Sequence, residues 1–261
     1  WWGSPCGPAS GTVIGNVDYD PWAINETLTV FSDAPAPAIY TFPAGATADV
    51  MNPIIACAPN GSTFVFAGNT FGGIVVGPTK VGLKFNLNGM VIGSGTPAFQ
   101  IFGDDIVVQG PGILDGLQGS GNNTTAAVEV YAGADNFRFL NVEVLNWQDG
   151  LELMGSVVSF KVVGNWFHDN TESGLQINSG VVLSGVITIE GNLFKENLGP
   201  GIQNDSGLLV ETEYNSWGHY DGPTAGDGVS SLVDYDPWNF LEPYIDVIPD
   251  TDALVRTIGE T

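Results

Sequence analysis

The sequence has 261 residues, enough for one large domain or two small ones with an ample core. It carries 29 Asp and Glu residues against 6 Lys and Arg residues, a formal net charge of -23, so nucleic acid and anionic membranes are excluded as general partners. No run of about 18 apolar residues is present, so we predict no membrane span.

The chain begins inside a motif that is written out in full only near its end. Trp-Gly, Gly-Pro and the run VDYDPW occur within residues 2–22 and again within residues 217–238. A separation of this length is typical of a repeat of whole domains. We therefore interpret residues 1–22 as the end of a preceding closing motif. Residues 23–58 are predicted to be a linker and an N-terminal entry cap, with a turn or two of helix near residues 49–57.

Two cysteines, Cys6 and Cys57, are present in the whole chain. They allow one disulfide in an oxidising compartment, but they do not form the framework of a small secreted domain. A buried, unbonded Cys57 is the alternative, and the sequence leaves the choice open.

Three later segments align with one another. They read NVEVLNWQDGLEL, NWFHDNTESGLQI and NLFKENLGPGIQN, and they begin at Asn141, Asn165 and Asn192. Each has Asn at its first position, Asn five residues on and Gly nine residues on, and the segments start 24 and then 27 residues apart. Short alternating runs precede each first Asn and follow each Gly, as expected of half-buried strands.

A unit of about 24 residues with short strands and Gly, Asn or Asp corners is one turn, or coil, of a solenoid. Equivalent residues of successive coils stack about 4.8 Å apart, so a repeated corner Asn can bond to its neighbours above and below. The predicted ladder consists of Asn141, Asn146, Asn165, Asn170, Asn192 and Asn197. The aromatic residues predicted to stack inside are Phe137, Phe160, Phe167 and Phe194.

The Gly-Asn-x-x-Phe corners and the segment DDIVVQGPGILDG resemble the right-handed parallel β-helix proteins of the pectate-lyase-like superfamily. The tail NSWG…GP…VDYDPW resembles the closing segment of β-helix modules in large secreted and surface proteins of bacteria and archaea. The resemblance implies an all-β, right-handed parallel β-helix in an extracellular or cell-surface protein. The length of one coil predicts seven to nine coils, with the β-helix over residues 59–214. The resemblance leaves function open, because this architecture carries enzymes, adhesins and fibres alike.

Residues 215–238 are predicted to close the C-terminal end, because an uncovered strand edge templates further pairing. Bulky Trp and Pro residues suit such end caps, and the candidates are Trp2, Trp22, Trp217 and Trp238. Residues 239–261 are predicted to be an extended tail or linker that adds a strand to a neighbour. Self-association from head to tail follows from this interpretation.

Catalysis on this fold would need carboxyl groups about 5–9 Å apart along an exposed groove. The candidates for such an enzyme, a polysaccharide lyase or glycoside hydrolase, are Asp115, Asp149, Glu152, His168, Asp169 and Glu172. Trp147 would offer a stacking face to a sugar. Ordinary turn chemistry and solvent-facing strand positions explain the same residues. Arg138 and Lys161 are interpreted as exposed cross-strand partners of Glu129 and Glu152.

No cofactor is predicted, with weak calcium binding the one open possibility. Its candidate ligands, which lack the spacing of a specific calcium loop, are Asp18, Asp20, Asp104 and Asp105. Sequons mark five candidate glycosylation sites at Asn25, Asn60, Asn122, Asn123 and Asn204. The leading hypothesis is a non-catalytic extracellular module that forms a filament, sheath or surface layer, or is one link of a tandem array. The alternative is a carbohydrate-active enzyme or an adhesin module with neutral glycans as partners.

Overall fold

The computed structural model describes residues 22–23, 31–32, 37–93, 97–117 and 124–239. The described chain forms a parallel β-solenoid of about eight turns with about 24 residues per turn, as the repeat predicted. Three parallel sheets run along its length, and six consecutive coils each contribute one strand to each sheet. The winding sense, predicted to be right-handed, stays a prediction.

Sheet 1 has seven strands and extends from one end of the solenoid towards the other. Its strands are β3 (Ile39–Phe42), β4 (Thr63–Phe66), β7 (Lys84–Asn86), β10 (Val107–Gln109), β13 (Phe137–Leu140), β16 (Val157–Val163) and β19 (Leu183–Glu190).

Sheets 2 and 3 have six strands each. Sheet 2 consists of β5 (Thr70–Phe71), β8 (Val91–Gly93), β11 (Ile113–Asp115), β14 (Glu143–Leu145), β17 (Trp166–His168) and β20 (Leu193–Lys195). Sheet 3 consists of β6 (Ile74–Val76), β9 (Phe99–Ile101), β12 (Val128–Val130), β15 (Leu151–Leu153), β18 (Leu175–Ile177) and β21 (Ile202–Asn204).

Two smaller pairs lie outside these sheets. Strands β1 (Trp22–Ala23) and β2 (Phe31–Ser32) are antiparallel, and β22 (Val210–Glu211) pairs in parallel with β23 (Val233–Asp234). A short 3₁₀ helix occupies Gly222–Thr224.

The first coil begins earlier than predicted. Strand β3 already pairs in parallel with β4, so the solenoid starts before residue 59. Its sequence IYTF has the alternation of a half-buried strand, with Tyr40 and Phe42 buried and Ile39 and Thr41 exposed. Coil geometry also persists past residue 214, because Ser216 and Val229 form bridges to Leu193 and Ile202. The predicted closing motif is therefore a last, irregular coil.

Helix α1 (Ala48–Cys57) lies near the place where a turn or two of helix was predicted, and it has 10 residues. It buries Met51, Ile54 and Ile55. The Asn52 side chain accepts a hydrogen bond from the Val75 N–H and donates one to the Gly73 carbonyl. These bonds satisfy backbone groups at the N-terminal edge of sheet 3. Cys57, at the end of the helix, is disulfide-bonded, and the chain's other cysteine, Cys6, lies outside the described residues.

The inside of the solenoid is an apolar column in which aromatic rings of successive coils stack. Phe137 stacks on Phe160 with ring centroids 6.2 Å apart, and Phe167 on Phe194 with centroids 5.2 Å apart. All four rings are buried, which confirms the predicted internal stacking. Each ring covers the next along the axis, so the core is continuous from coil to coil.

Candidate functional site

The first corner column joins coils through buried asparagine side chains. The Asn165 amide donates to the Phe139 carbonyl and to Asn192 Oδ1, and the Asn192 amide donates to the Val162 carbonyl and to Asn215 Oδ1. These bonds are 2.9–3.0 Å long. They satisfy backbone carbonyls at the bend, where strand pairing stops.

A second corner column follows the same principle. The Trp147 N–H donates to Asn170 Oδ1, the Asn170 amide donates to Asn197 Oδ1, and the Asn197 amide donates to Asp227 Oδ2. Asp227 and Asn215, the last members of the two columns, were not predicted, because the closing motif does not match the repeat pattern. The structure places four predicted residues in these columns: Asn165, Asn170, Asn192 and Asn197.

Asn141 and Asn146 are not members of the two columns, because each lies one residue before the column position in its coil. The predicted alignment of Asn141 with Asn165 is therefore wrong by one residue. Pairing of Glu143 with Trp166 puts Val142, and not Asn141, opposite Asn165. Both misplaced residues have left-handed backbone, with φ of 56° and 62°, a conformation that Asn tolerates well. The slip arises because the loop before Gly150 is one residue shorter than the loops of the next two coils.

Trp147 does not offer a stacking face to a sugar. It is fully buried, and its Nε1 donates to the Leu114 carbonyl at 3.1 Å. The prediction that Trp147 forms an aromatic platform beside Asp149 is therefore wrong. The ring fills the core, as an apolar corner position next to a buried strand requires.

Asp149 is buried and belongs to a contact between coils. Its Oδ1 accepts hydrogen bonds from the Ser173 N–H, at 2.9 Å, and from the Ser173 hydroxyl. Burial raises the pKa of Asp149, while these two bonds lower it, and the net shift is upward. A raised pKa suits a general acid, but the carboxyl group is directed at the neighbouring coil.

The outer face of sheet 3 carries a polar residue at the same position in five consecutive coils. The strand register aligns the row Gln100, Glu129, Glu152, Gln176 and Gln203. Glu129 Oε2 accepts hydrogen bonds from the Tyr131 hydroxyl at 2.7 Å and from Gln100 at 2.9 Å. Burial and the bond to Glu129 raise the pKa of Tyr131 to about 12.

Glu152 lies beside Glu129 in this row, so two carboxylates occupy neighbouring strands. Its Oε1 accepts a hydrogen bond from Asn178 at 2.8 Å. Burial raises the pKa of Glu152, and the negative charges of Asp149 and Glu129 raise it further. The bond from Asn178 offsets part of this shift.

His168 is held between two carboxylates on the outer face of sheet 2. Its Nδ1 lies 2.7 Å from Asp169 Oδ2, its Nε2 lies 3.2 Å from Glu143 Oε1, and its ring stacks on Trp166. Burial lowers the pKa of His168, but the bonds and charges of the two carboxylates outweigh it and the net shift is upward. Two acceptors on one ring favour the imidazolium form.

The other two acid candidates lie apart from each other. Asp115 Oδ1, on sheet 2, accepts hydrogen bonds from the Asn146 amide and the Leu117 N–H. Glu172 is exposed and lines an open depression of about 460 Å³ with Ser173, Gln176 and Gln203. The six candidates thus form two groups. The negative charges of Asp149, Glu152 and Glu172 act on one another beside sheet 3, whereas Asp115, His168 and Asp169 belong to sheet 2 and the loop after it.

Asp149, Glu152, His168 and Asp115 each bond to a residue of a neighbouring coil.

Arg138 and Lys161 do not pair with Glu129 and Glu152, which corrects a second expectation. The two cations are on β13 and β16 of sheet 1, whereas the two acids are on β12 and β15 of sheet 3. Arg138 lies directly opposite Lys161 instead. Two like charges therefore face each other across neighbouring strands, an arrangement that costs stability.

No group of three or more His, Cys, Asp or Glu side chains in the described part of the chain is arranged to hold a metal ion. Asp104 accepts a hydrogen bond from the Asp135 N–H, and Asp105 has left-handed backbone with φ of 56°. The other calcium candidates, Asp18 and Asp20, lie outside the described residues.

The structure separates the glycosylation candidates that it describes. Asn60 is exposed, whereas Asn204 is 4% exposed and its amide donates to the carbonyls of Leu208 and Leu232. A glycan on the Asn204 nitrogen would replace one of these two N–H donors in a buried site, so the structure disfavours glycosylation at Asn204. Asn25, Asn122 and Asn123 lie outside the described residues.

The closing coil extends the internal aromatic column. Trp217 is fully buried and stacks on Phe194 with centroids 5.2 Å apart, and its ring meets that of Tyr235 edge-on at 6.4 Å. Tyr235 in turn contacts Trp238, with centroids 6.0 Å apart. Of the other two cap candidates, Trp22 is in β1 and Trp2 lies outside the described residues.

Within the described ranges, no helix is long and apolar enough to cross a membrane. The comparisons with known proteins give no relative: no family model, curated protein or solved structure matches the chain. The structure alone therefore supports the parallel β-solenoid, and a relationship to the pectate-lyase-like superfamily stays a prediction.

Proposed function

We propose that this chain is a non-catalytic structural module of an extracellular filament, sheath or surface layer. The observation that carries the proposal is that its polar side chains form hydrogen bonds between coils. The residues with the chemistry for acid–base catalysis, above all Asp149, Glu152 and His168, bond to neighbouring coils and hold the solenoid together. An extracellular location, right-handed winding and glycosylation at Asn60 belong to the same proposal.

The ends of the solenoid support assembly from head to tail. Strand β3 is the first strand of sheet 1 and pairs on one side only within the part of the chain that the structure describes. At the other end, β23 pairs with β22 alone among those residues. Open edges of parallel strands template the addition of another strand, and such a contact between unlike ends gives filaments when it does not close.

Electron microscopy of the native material, with mass spectrometry of the same sample, tests the proposal. We expect filaments or sheets with an axial repeat near the length of one module. Ile39, which is 76% exposed on β3, provides the variant: Ile39→Lys places a charge at the open edge and should shorten or abolish the filaments.

Val158→Lys is the matched control, because Val158 is also exposed on sheet 1 but belongs to an inner strand, β16. It should leave the filaments intact. Monomers with no tendency to join end to end, under any condition in which the chain is folded, would overturn the proposal.

A glycan-binding or carbohydrate-active module is the second candidate, and the polar row of sheet 3 favours it. The row offers amide and carboxylate groups at one position per coil, next to the depression lined by Glu172 and Gln203. Binding to neutral glycans that is lost in Gln203→Ala, or hydrolysis or elimination lost in Glu152→Gln, would establish this candidate in place of the first.

A further inference from the structure

Half of the chain's basic residues lie in one line on sheet 1. The register runs from Lys84 through Val107 to Arg138 and Lys161. We call Lys84, Arg138 and Lys161 the basic stripe; they are three of 6 Lys and Arg residues in a chain of net charge -23. Strands of one sheet lie about 4.8 Å apart, so the stripe spans about 14 Å along the solenoid axis.

The three cations are exposed, and the structure gives none of them a side-chain hydrogen bond or ion pair with another described residue. Asp105 lines the same depression as Arg138 and Lys161, of about 440 Å³, but forms no ion pair with either. Like charges aligned in register cost stability unless something neutralises them. The alignment therefore points to an acidic partner.

A second copy of the chain carries a matching surface. Asp169 and Glu196 each follow one of the paired residues His168 and Lys195, so they occupy equivalent positions in neighbouring coils. Both are exposed, as is Glu172, which follows Asp169 by three residues in the same loop. Asp169 also contacts His168, so Glu172 and Glu196 are the members with no ion pair to another described residue. We call Asp169, Glu172 and Glu196 the acidic corner. The carboxylates of Asp169 and Glu196 repeat at the strand spacing, and so do Arg138 and Lys161, because the same solenoid sets both distances.

We propose that the basic stripe of one copy binds the acidic corner of a second copy, side by side. The inference deepens the proposed function by adding a lateral contact between filaments to the contact between their ends. Net repulsion does not forbid it, because at about 0.15 M salt charges more than about 8 Å apart are largely screened, while ion pairs in contact are not. The contact joins two different surfaces, so it repeats from copy to copy and gives a sheet.

Charge reversal on each surface tests the contact. The stripe variant is Arg138→Glu with Lys161→Glu, and the corner variant is Glu172→Lys with Glu196→Lys. All four side chains are exposed, so both variants should fold, which circular dichroism and thermal melting check. Filament width by electron microscopy, and lateral association by sedimentation at about 0.15 M salt, are the measurements.

Each variant alone should weaken lateral association by roughly tenfold or more, because attraction turns into repulsion. An equimolar mixture of the two should restore it, since the reversed stripe then meets the reversed corner. Val75→Glu is the control for added negative charge: Val75 is exposed on β6 of sheet 3, outside the basic stripe and the acidic corner, so the variant should leave lateral association unchanged.

The outcomes separate the inference from the proposed function. Single filaments of the parent chain that never associate sideways, or bundles that ignore both reversals, overturn the lateral contact and leave assembly from head to tail intact. Absence of any filament overturns the proposed function, while sideways dimers that respond to the reversals would still support the contact. Capture of an acidic glycan such as polygalacturonate by the stripe, without association of copies, would assign the stripe to that ligand and overturn our inference.

Discussion

At the scale of single residues, the polar groups of this solenoid are arranged mainly to satisfy one another across coils. His168 is the clearest case, because both ring nitrogens face carboxylate oxygens and its side chain is 9% exposed. A buried imidazole with two acceptors is stabilised when it carries its proton. Two residue-scale predictions follow from titratable groups whose pKa values are shifted.

The first concerns His168→Gln. Because the folded-state pKa of His168 lies above the ordinary 6.5, its contribution to stability is full below about pH 6.5 and is lost as the pH rises through the raised value. We expect the variant to lose about 2 kcal/mol at about pH 5.5, as for hydrogen bonds to charged groups, and less at about pH 9. Urea unfolding of both proteins at the two pH values measures the difference, and an equal loss at both would contradict the prediction.

The second concerns Glu152→Gln. The raised pKa of Glu152 means that its charge costs stability above that pKa, and that the cost disappears as the pH falls below the ordinary value of 4.5. We expect the variant to be about 0.2–1 kcal/mol more stable at about pH 7 and unchanged at about pH 3.5. The amide keeps an oxygen for Asn178 and matches the glutamines of its row.

Gln176→Glu is the converse of this substitution and serves as its control. It places a third carboxylate in the same row, next to Glu152, and should lower stability at neutral pH. Thermal melting of the three proteins over a pH series gives the order. The prediction fails if Glu152→Gln loses stability at about pH 7.

At the scale of elements, the corner columns replace the strand pairing that ends at each bend. Asn192→Ala removes two amide bonds, to Val162 and Asn215, and the acceptor for Asn165. Leaving these buried groups without partners should cost about 3 kcal/mol. Asn141→Gly is the control, because Asn141 is exposed in left-handed backbone and lies outside the column; its cost should stay within about 0.5 kcal/mol. Equal losses in denaturant unfolding would contradict the register that we describe.

The sequence allowed the coils to be predicted but not the position of every residue within them. Strand alternation and the glycines Gly150, Gly174 and Gly201 carry the period, and the register keeps these glycines in one column. The identical five-residue spacing of the Asn pairs hides a loop that is one residue shorter, so Asn141 was placed one position too late. A misalignment of one residue cannot be recognised from the sequence, because only the pairing of the strands shows where the shorter loop lies.

The candidate site was harder to predict, because the outer face on which a side chain lies depends on where the chain bends within each coil. Trp147 follows an Asn in a polar segment, which suggested exposure, but a carbonyl from the previous coil, that of Leu114, accepts its N–H. Arg138 and Glu129 are close in sequence, yet a corner places them on different sheets. Alternation within a strand tells inside from outside and does not tell one outer face from another.

At the scale of the whole molecule, each coil contacts only its neighbours, so stability should be lost locally and spread from an end. Trp217 is the test, since it is buried against Phe194 and Tyr235 in the closing coil, and its Nε1 has no hydrogen-bond partner in the described part of the chain. Trp217→Ala removes packing alone and should cost about 3–5 kcal/mol in that region.

Hydrogen exchange locates the damage from Trp217→Ala. Amides of β20 and β21 should exchange faster, because they lie against the closing coil, whereas amides of β7, β9 and β10 should keep their protection. Phe139→Ala, in a central coil, is the comparison, since it should expose amides on both sides of β13. If Trp217→Ala instead raised exchange evenly along all three sheets, the solenoid would unfold as one cooperative unit, and the column of stacked rings would have to couple its two ends directly.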